Sequence, residues 1–174
     1  MKITLNMLSD AGIEYSWNTI YIALLYDFIE VSEVKDYAIE RISSEDYQYN
    51  EYINELAWGT TDKSLALKLI LGGKLVKPTL PIKKLELEKI RYTILFALYD
   101  QYKEFYQVFL KQIEMVYADF GYPEDMSSFI YYMPSNITTK EAKSPSNNTE
   151  ENFMLNFSNL LKEINQRIEM HSKS

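Results

Sequence analysis

The feature that most constrains the fold is the stretch from residue 83 to residue 120, which contains neither glycine nor proline. Apolar residues recur through it at intervals of three and four, the spacing that places them on one face of an α-helix. These residues are Leu87, Ile90, Ile94, Leu98, Tyr102, Phe105, Phe109, Ile113, Val116 and Phe120. The pattern predicts one very long helix, or two helices joined near Asp100.

Shorter helical periodicities precede and follow this segment. The predicted helices begin at about residues 17, 32, 46 and 62, and a short helix opens at residues 123–125. Ser16 and Asp62 stand where a side-chain oxygen can cap the N-terminus of a helix. Gly59 and Gly72 stand where helices are expected to end. No alternating run of the β-strand type interrupts this series, so the sequence predicts an all-α fold.

The organisation predicted for the 174 residues is a single-domain helical bundle with a long central helical segment. Residues 1–134 form the helical domain. Residues 135–149 are rich in Ser, Thr, Asn, Lys and Pro, and they are predicted to be a loop or a disordered connector. Residues 150–174 are predicted to form an amphipathic helix that packs on the same domain.

Composition excludes several classes of function. The net charge is −7 and the pI is about 4.8. A negatively charged protein is poorly suited to direct binding of nucleic acid, because the phosphates are also negatively charged. There are no cysteines, and the single histidine, His171, lies near the end of the chain. No cofactor, metal site or catalytic residue is therefore predicted. Because no leader and no apolar run of membrane-spanning length is evident, we expect a cytoplasmic protein that does not bind membranes.

The charged residues are divided unevenly along the chain. Residues 27–62 carry a net charge of −8, and residues 63–91 carry a net charge of +6. The ten acidic residues of the first stretch are Asp27, Glu30, Glu33, Asp36, Glu40, Glu45, Asp46, Glu51, Glu55 and Asp62. The eight basic residues of the second are Lys63, Lys68, Lys74, Lys77, Lys83, Lys84, Lys89 and Arg91. This division predicts an electrically polar molecule.

Part of the acidic stretch is predicted to form a partner-binding surface. At 100° per residue, three acids of the second predicted helix lie opposite its apolar face, so they are expected to form a solvated stripe. Two acids of the third helix occupy its outward face, with a tryptophan beside them. Complementary charge speeds the encounter with a basic partner, and a tryptophan can anchor the contact. The predicted partner-binding residues are Glu33, Asp36, Glu40, Glu51, Glu55 and Trp58.

Two other interpretations stay open for these residues. An acidic stripe on a helix can serve only to keep the protein soluble. The chain also has 15 tyrosines, whose rigid amphipathic rings suit recognition surfaces, so the interface can instead lie around Tyr122, Tyr131 and Tyr132.

Candidate catalytic residues are few. Asp119, Glu124 and Asp125 could supply two carboxylates for acid–base chemistry or for a divalent ion. The alternative is that they mark the end of one helix and the acidic first turn of the next. Ser32 and Lys35 have the Ser-x-x-Lys spacing of penicillin-recognising hydrolases, but the Ser-Asp-Asn and Lys-Thr-Gly motifs that accompany it are missing.

One stretch of the chain resembles a known family. Residues 117–126 read Tyr-Ala-Asp-Phe-Gly-Tyr-Pro-Glu-Asp-Met, and residues 129–134 read Phe-Ile-Tyr-Tyr-Met-Pro. These runs, together with Tyr15-Ser16-Trp17 and Leu56-Ala57-Trp58, resemble the bacterial domain of unknown function 2247 family over residues 11–134. The resemblance implies an all-helical cytoplasmic protein without catalytic residues. Because such genes often lie beside secreted polymorphic toxins, it also implies an immunity protein.

The function expected from these observations is that of a non-enzymatic bacterial immunity protein. It would bind and neutralise a cognate toxin domain, with a basic nuclease as the expected class, through the acidic surface. The first alternative is a helical adaptor or regulatory protein of another bacterial complex. The second is a carboxylate-dependent enzyme that uses Asp119, Glu124 or Asp125. The sequence does not define the oligomeric state.

Overall fold

The computed structural model describes residues 1–130 and 148–172, and every regular element in those ranges is helical. The elements are α1 (Leu5–Asp10), α2 (Trp17–Leu25), α3 (Val31–Ile42), α4 (Glu51–Trp58), α5 (Lys63–Gly72), α6 (Leu80–Tyr102), α7 (Tyr106–Asp119), a 3₁₀ helix (Glu124–Phe129) and α8 (Asn148–Ser172). The prediction of an all-α fold with a long central helical segment is confirmed, since α6 alone has 23 residues.

The chain forms two compact units, Met1–Thr93 and Ile94–Ser174, and α6 contributes residues to both. In the first unit α3 packs against α4, α4 packs against α5, and α5 also contacts α2 and α3. In the second unit α7 and α8 each pack against the 3₁₀ helix. Division of the chain into residues 1–134, 135–149 and 150–174 stays a prediction, and residues 131–147 lie outside the described residues. The last helix begins at Asn148, two positions earlier than predicted.

Two of the predicted helix starts are confirmed with their caps. The Ser16 hydroxyl accepts the Asn18 N–H at 3.2 Å, and the Thr19 hydroxyl accepts the Ser16 N–H at 3.0 Å, so α2 has a reciprocal capping box. The Asp62 carboxylate accepts the N–H groups of Ser64 at 2.7 Å and Leu65 at 3.2 Å, and it caps α5.

Of the other two starts, one differs by a single residue and one was wrong, and one helix was missed. The second predicted helix begins at Val31 rather than Ser32, after an N-cap residue, Glu30, whose side chain makes no capping bond. The third begins at Glu51 rather than near Asp46, because Asn50 is its cap. Asp46 instead pairs with Arg41 at 3.2 Å. Helix α1 has only six residues, too few to give a clear periodicity.

The stretch from residue 83 to residue 120 forms two helices, as one of the two alternatives predicted. Helix α6 ends at Tyr102 and α7 begins at Tyr106, so the joint is residues 103–105, three to five residues after the position expected near Asp100. Phe105 leaves the helical conformation, with φ −122° and ψ 65°. Most of the predicted apolar face is buried, with Ile90, Ile94, Leu98, Phe109, Ile113 and Val116 all at 3% exposure or less.

Aromatic rings fill the centre of the second unit. Phe109 and Phe157 are fully buried, and their ring centroids lie 4.8 Å apart in an edge-to-face contact. Phe153 and Phe129 pack edge-to-face at 5.3 Å beside them. Such pairs add to the free energy of burial, so this cluster holds α7, α8 and the 3₁₀ helix together.

Helix α6 also buries charged side chains in the first unit. Glu86 and Lys89 are both buried, and the Lys89 Nζ lies 3.3 Å from Glu86 Oε1. The Thr19 hydroxyl donates a 2.6 Å hydrogen bond to Glu86 Oε2 and so connects α2 to α6. These partners compensate for removing the carboxylate from water.

In the described residues no helix combines the length and the apolar character needed to cross a membrane.

Candidate interaction surface on helices α3 and α4

Helices α3 and α4 run antiparallel. Gly59 directly follows α4, and a Cβ atom at Gly59 would lie 3.0 Å from Lys35 Cδ, near the start of α3. The end of one helix therefore lies beside the beginning of the other. Gly59 has a φ of +93°, a conformation that side chains other than glycine rarely adopt. Glycine here permits both the sharp turn out of α4 and the close passage of the lysine stem.

The three predicted acids of α3 have different surroundings. Glu33 is half-buried, and its Oε2 accepts the backbone N–H of Leu5 at 2.7 Å, so the expectation that it belongs to a solvated stripe was wrong. The reason is α1, the missed helix, whose first N–H groups need an acceptor. Asp36 and Glu40 are exposed as predicted. Glu40 accepts the Tyr15 hydroxyl at 3.1 Å, whereas Asp36 has no partner among the described residues.

Helix α4 presents two acids and a tryptophan on one face. Glu51, Glu55 and Trp58 follow at intervals of four and three, so they lie within about 60° of one another around the helix. All three are exposed, and neither carboxylate has an ion pair or a hydrogen bond within the described ranges. Trp58 is 87% exposed, whereas Trp17 is buried at 9%. We call Asp36, Glu40, Glu51, Glu55 and Trp58 the acidic surface.

The other acids of residues 27–62 mostly serve the fold. Asp27 lies 2.7 Å from Lys63, and the hydrogen bond from that lysine is the main reason that the pKa of Asp27 is lowered. A hydrogen bond from Ser44, followed by one from Arg41, lowers the pKa of Asp46. Glu30 lies 3.4 Å from Lys2. About half of the acidic stretch is therefore used internally.

An open cleft lies beside Trp58, at the start of α3. Its volume is about 770 Å³, and its lining residues are Glu30, Val31, Ser32, Lys35, Trp58, Gly59, Thr60 and Thr61. Ser32 and Lys35, the pair with Ser-x-x-Lys spacing, both lie on this cleft with exposed side chains. Sequence reasoning did not connect these residues with Trp58, because only the antiparallel packing of α3 and α4 brings them together.

The predicted carboxylates of the second unit are arranged as helix ends. Asp119 is the last residue of α7, and Glu124 and Asp125 occupy the first turn of the 3₁₀ helix. Arg167 of α8 lies 2.7 Å from Asp125 Oδ2, so Asp125 connects the 3₁₀ helix to α8. The part of the chain that the structure describes holds no group of three or more histidines or acids placed to bind a metal ion.

The tyrosine-rich alternative is described only in part. Tyr122 is exposed, and its ring makes an edge contact of 5.3 Å with the buried ring of Tyr117. Tyr131 and Tyr132 lie outside the described residues. The structure therefore leaves this alternative open.

A family model described as uncharacterized protein conserved in bacteria (DUF2247) matches residues 5–165. The chain belongs to this family. The DUF2247 match includes the whole acidic surface and most of α8, so it extends beyond the resemblance seen over residues 11–134. No curated protein and no solved structure matches the chain significantly. Membership in the DUF2247 family assigns no activity.

Proposed function

We propose that this protein is a non-enzymatic immunity protein that binds and neutralises a cognate toxin domain through the acidic surface. The observation that carries the proposal is the outward face of α4, where two carboxylates without partners in the described chain lie beside an indole that is 87% exposed. A tryptophan in this position contributes little to the fold, but it can contribute strongly to a protein interface once it is covered.

The charge of the surface supports a basic partner. Asp36, Glu51 and Glu55 keep their negative charge available, since none of them is neutralised by a lysine or an arginine in the described residues. A nuclease domain holds nucleic-acid phosphates with lysines and arginines. An immunity protein in the cytoplasm would neutralise those cations and cover the substrate surface, and complementary potentials would speed the encounter. A basic nuclease is therefore the toxin class that we propose.

Two other functions stay as alternatives. A helical adaptor or regulatory protein of another bacterial complex would use the same acidic surface with a different basic partner. A carboxylate-dependent enzyme would use Asp119, Glu124 or Asp125, but the ion pair between Asp125 and Arg167 gives that acid a structural role. A large secreted protein with a toxic C-terminus encoded next to the gene favours immunity, whereas a neighbourhood of metabolic genes favours the enzyme.

Co-expression with the toxin domain encoded beside the gene tests the proposal. We expect the wild-type protein to restore survival, and we expect the variant Asp36→Lys/Glu51→Lys/Glu55→Lys to lose most of that protection. Trp58→Ala should speed dissociation of the complex by about thirtyfold, the equivalent of about 2 kcal/mol. The control variant Glu104→Lys/Glu151→Lys/Glu163→Lys changes the net charge equally at exposed sites of the second unit and should protect fully. Full protection by both triple variants would contradict the proposal.

A further inference from the structure

Helices α4 and α5 are antiparallel neighbours in close contact. A Cβ atom at Gly72 would lie 2.8 Å from Tyr52 Cε1, and one at Gly73 would lie 2.9 Å from Tyr52 Cβ. Tyr52 is near the start of α4 and both glycines are at the end of α5, so the two helices run in opposite directions. Glu51 and Lys74 line one cavity of about 390 Å³ at this shared end.

Each of these helices has an exposed stripe of opposite charge. The α4 stripe is Glu51, Glu55 and Trp58. The α5 stripe is Leu65, Lys68 and Leu71, which lie within about 120° around the helix. Leu65 is 41% exposed and Leu71 is 45% exposed. Lys68 and Lys74 are exposed, and neither has a partner among the described residues. Both stripes combine charge with uncovered apolar surface.

The two stripes lie on the same side of the helix pair. Tyr52 marks the side of α4 that contacts α5. Viewed around the α4 axis, Tyr52 lies about 90° from the centre of the α4 stripe, in the direction in which residue numbers increase. On α5 the mean position of Gly72 and Gly73 lies about 90° from the centre of its stripe, in the same sense. Because the helices are antiparallel, an equal rotation in the same sense places both stripes on one face.

We propose that this face binds a second copy of the chain. A two-fold axis parallel to the helices, in the plane of contact, places α4 of each copy over α5 of the other. Such an axis preserves height along the helices, and the contact of Tyr52 with Gly72 sets the heights. With a rise of 1.5 Å per residue, Glu55 of one copy is level with Lys68 of the second copy to about 2 Å. Trp58 is similarly level with Leu65, and Glu51 lies at the same end of the helix pair as Lys74, which follows the end of α5.

The size of this face sets the strength of the association. Two stripes on helices of 8 and 10 residues cover roughly 300 Å² per copy, or about 600 Å² in total. A stable dimer usually buries about 1,200 Å² or more. The self-association is therefore weak, reversible and strongly dependent on salt. It competes with any other partner of the acidic surface, because both use Glu51, Glu55 and Trp58, but it does not depend on that partner being a toxin.

Sedimentation velocity of the full chain from about 20 to 400 µM tests the proposal. The wild type should form a reversible dimer at about 50 mM salt, with an affinity at least tenfold weaker at about 0.5 M salt. Glu51→Lys/Glu55→Lys and Lys68→Glu/Lys74→Glu should each be monomeric over this range, since like charges then meet across the axis. An equimolar mixture of the two variants should form a heterodimer, because each altered stripe again meets the opposite charge.

Matched variants separate this interface from a general effect of net charge. Glu104→Lys/Glu163→Lys and Lys111→Glu/Lys162→Glu make the same charge changes at exposed positions in the second unit and should dimerise like the wild type. Far-UV circular dichroism checks that every variant is folded. A wild type that is monomeric at 400 µM in low salt would overturn the proposal. So would reversal variants that dimerise alone, or a mixture that stays monomeric.

Discussion

The Glu33 carboxylate accepts the backbone N–H of Leu5 at 2.7 Å and so joins α3 to the start of α1. Asp36 lies one turn later on α3, and its exposed carboxylate has no partner in the described part of the chain. Two acids of the same predicted stripe therefore have different roles. Glu33 contributes to the fold of the first unit, and Asp36 is available to a partner.

Replacing these two acids should separate stability from binding. Glu33→Ala removes a charge-assisted hydrogen bond at a helix N-terminus and should lower the free energy of unfolding by about 1 kcal/mol. Asp36→Ala should change it by less than about 0.5 kcal/mol, because an exposed side chain without contacts is removed. Urea denaturation of both variants measures the difference. Equal effects would show that the bond from Leu5 does not stabilise the fold.

The buried pair on α6 predicts a non-additive effect. Lys89→Met should cost about 3 kcal/mol or more, because it removes the cation beside the buried Glu86 carboxylate and leaves that carboxylate with the hydrogen bond from the Thr19 hydroxyl. Glu86→Leu/Lys89→Met should be more stable than Lys89→Met alone, since the carboxylate that lost its cation is then removed as well. Thermal denaturation of the single and double variants tests this. A double variant that melts below the single variant would contradict it.

The helical class and some of the helix starts could be predicted from the sequence, but the burial of charge could not. The side chains of Ser16 and Asp62 identified two helix starts, because a cap depends only on neighbouring residues. Glu86 and Lys89 are three residues apart, a spacing that is typical of a solvated ion pair on a helix surface. Glu86 is bonded by Thr19, which lies 67 residues earlier in the chain, and local sequence does not encode such a contact.

Phe109 should be essential to the second unit, whereas Phe105 should not. Phe109 is fully buried against the rings of Phe153 and Phe157, and Phe105 is 63% exposed. Phe109→Ala should cost about 3 to 5 kcal/mol through lost burial and a residual cavity. Phe105→Ala removes the same atoms from an exposed site and should cost less than about 1 kcal/mol. Similar melting temperatures for the two variants would show that this side of α7 is not the core.

Alkaline pH should destabilise the first unit through Tyr37. Burial raises the pKa of Tyr37 from 10.0 to about 12. An unfolded tyrosine ionises near its ordinary pKa, so the contribution of the buried phenol is complete below pH 10 and is lost between pH 10 and about 12. Tyr37→Phe should therefore weaken the fall in stability over this range, as measured by urea denaturation at successive pH values. Parallel curves for the two proteins would rule out Tyr37 as the cause.

The candidate surface was predicted in part. Exposure of Glu51, Glu55 and Trp58 followed from helical periodicity, because α4 is short and has one buried face. The role of Glu33 was missed, because the acceptor function depends on α1 arriving beside α3. The cleft at Trp58 was missed for a similar reason, since Lys35 and Gly59 come together only when the antiparallel pair has formed.

The association rate with the toxin domain encoded beside the gene, measured by stopped flow against salt concentration, tests the central claim most directly. Asp36→Asn/Glu51→Gln/Glu55→Gln should slow association by about tenfold at 50 mM salt, and the difference from wild type should nearly vanish at about 0.5 M salt. The control Glu104→Gln/Glu151→Gln/Glu163→Gln should stay within about twofold of wild type. An association rate that is independent of salt and equal in all three proteins would contradict binding through the acidic surface.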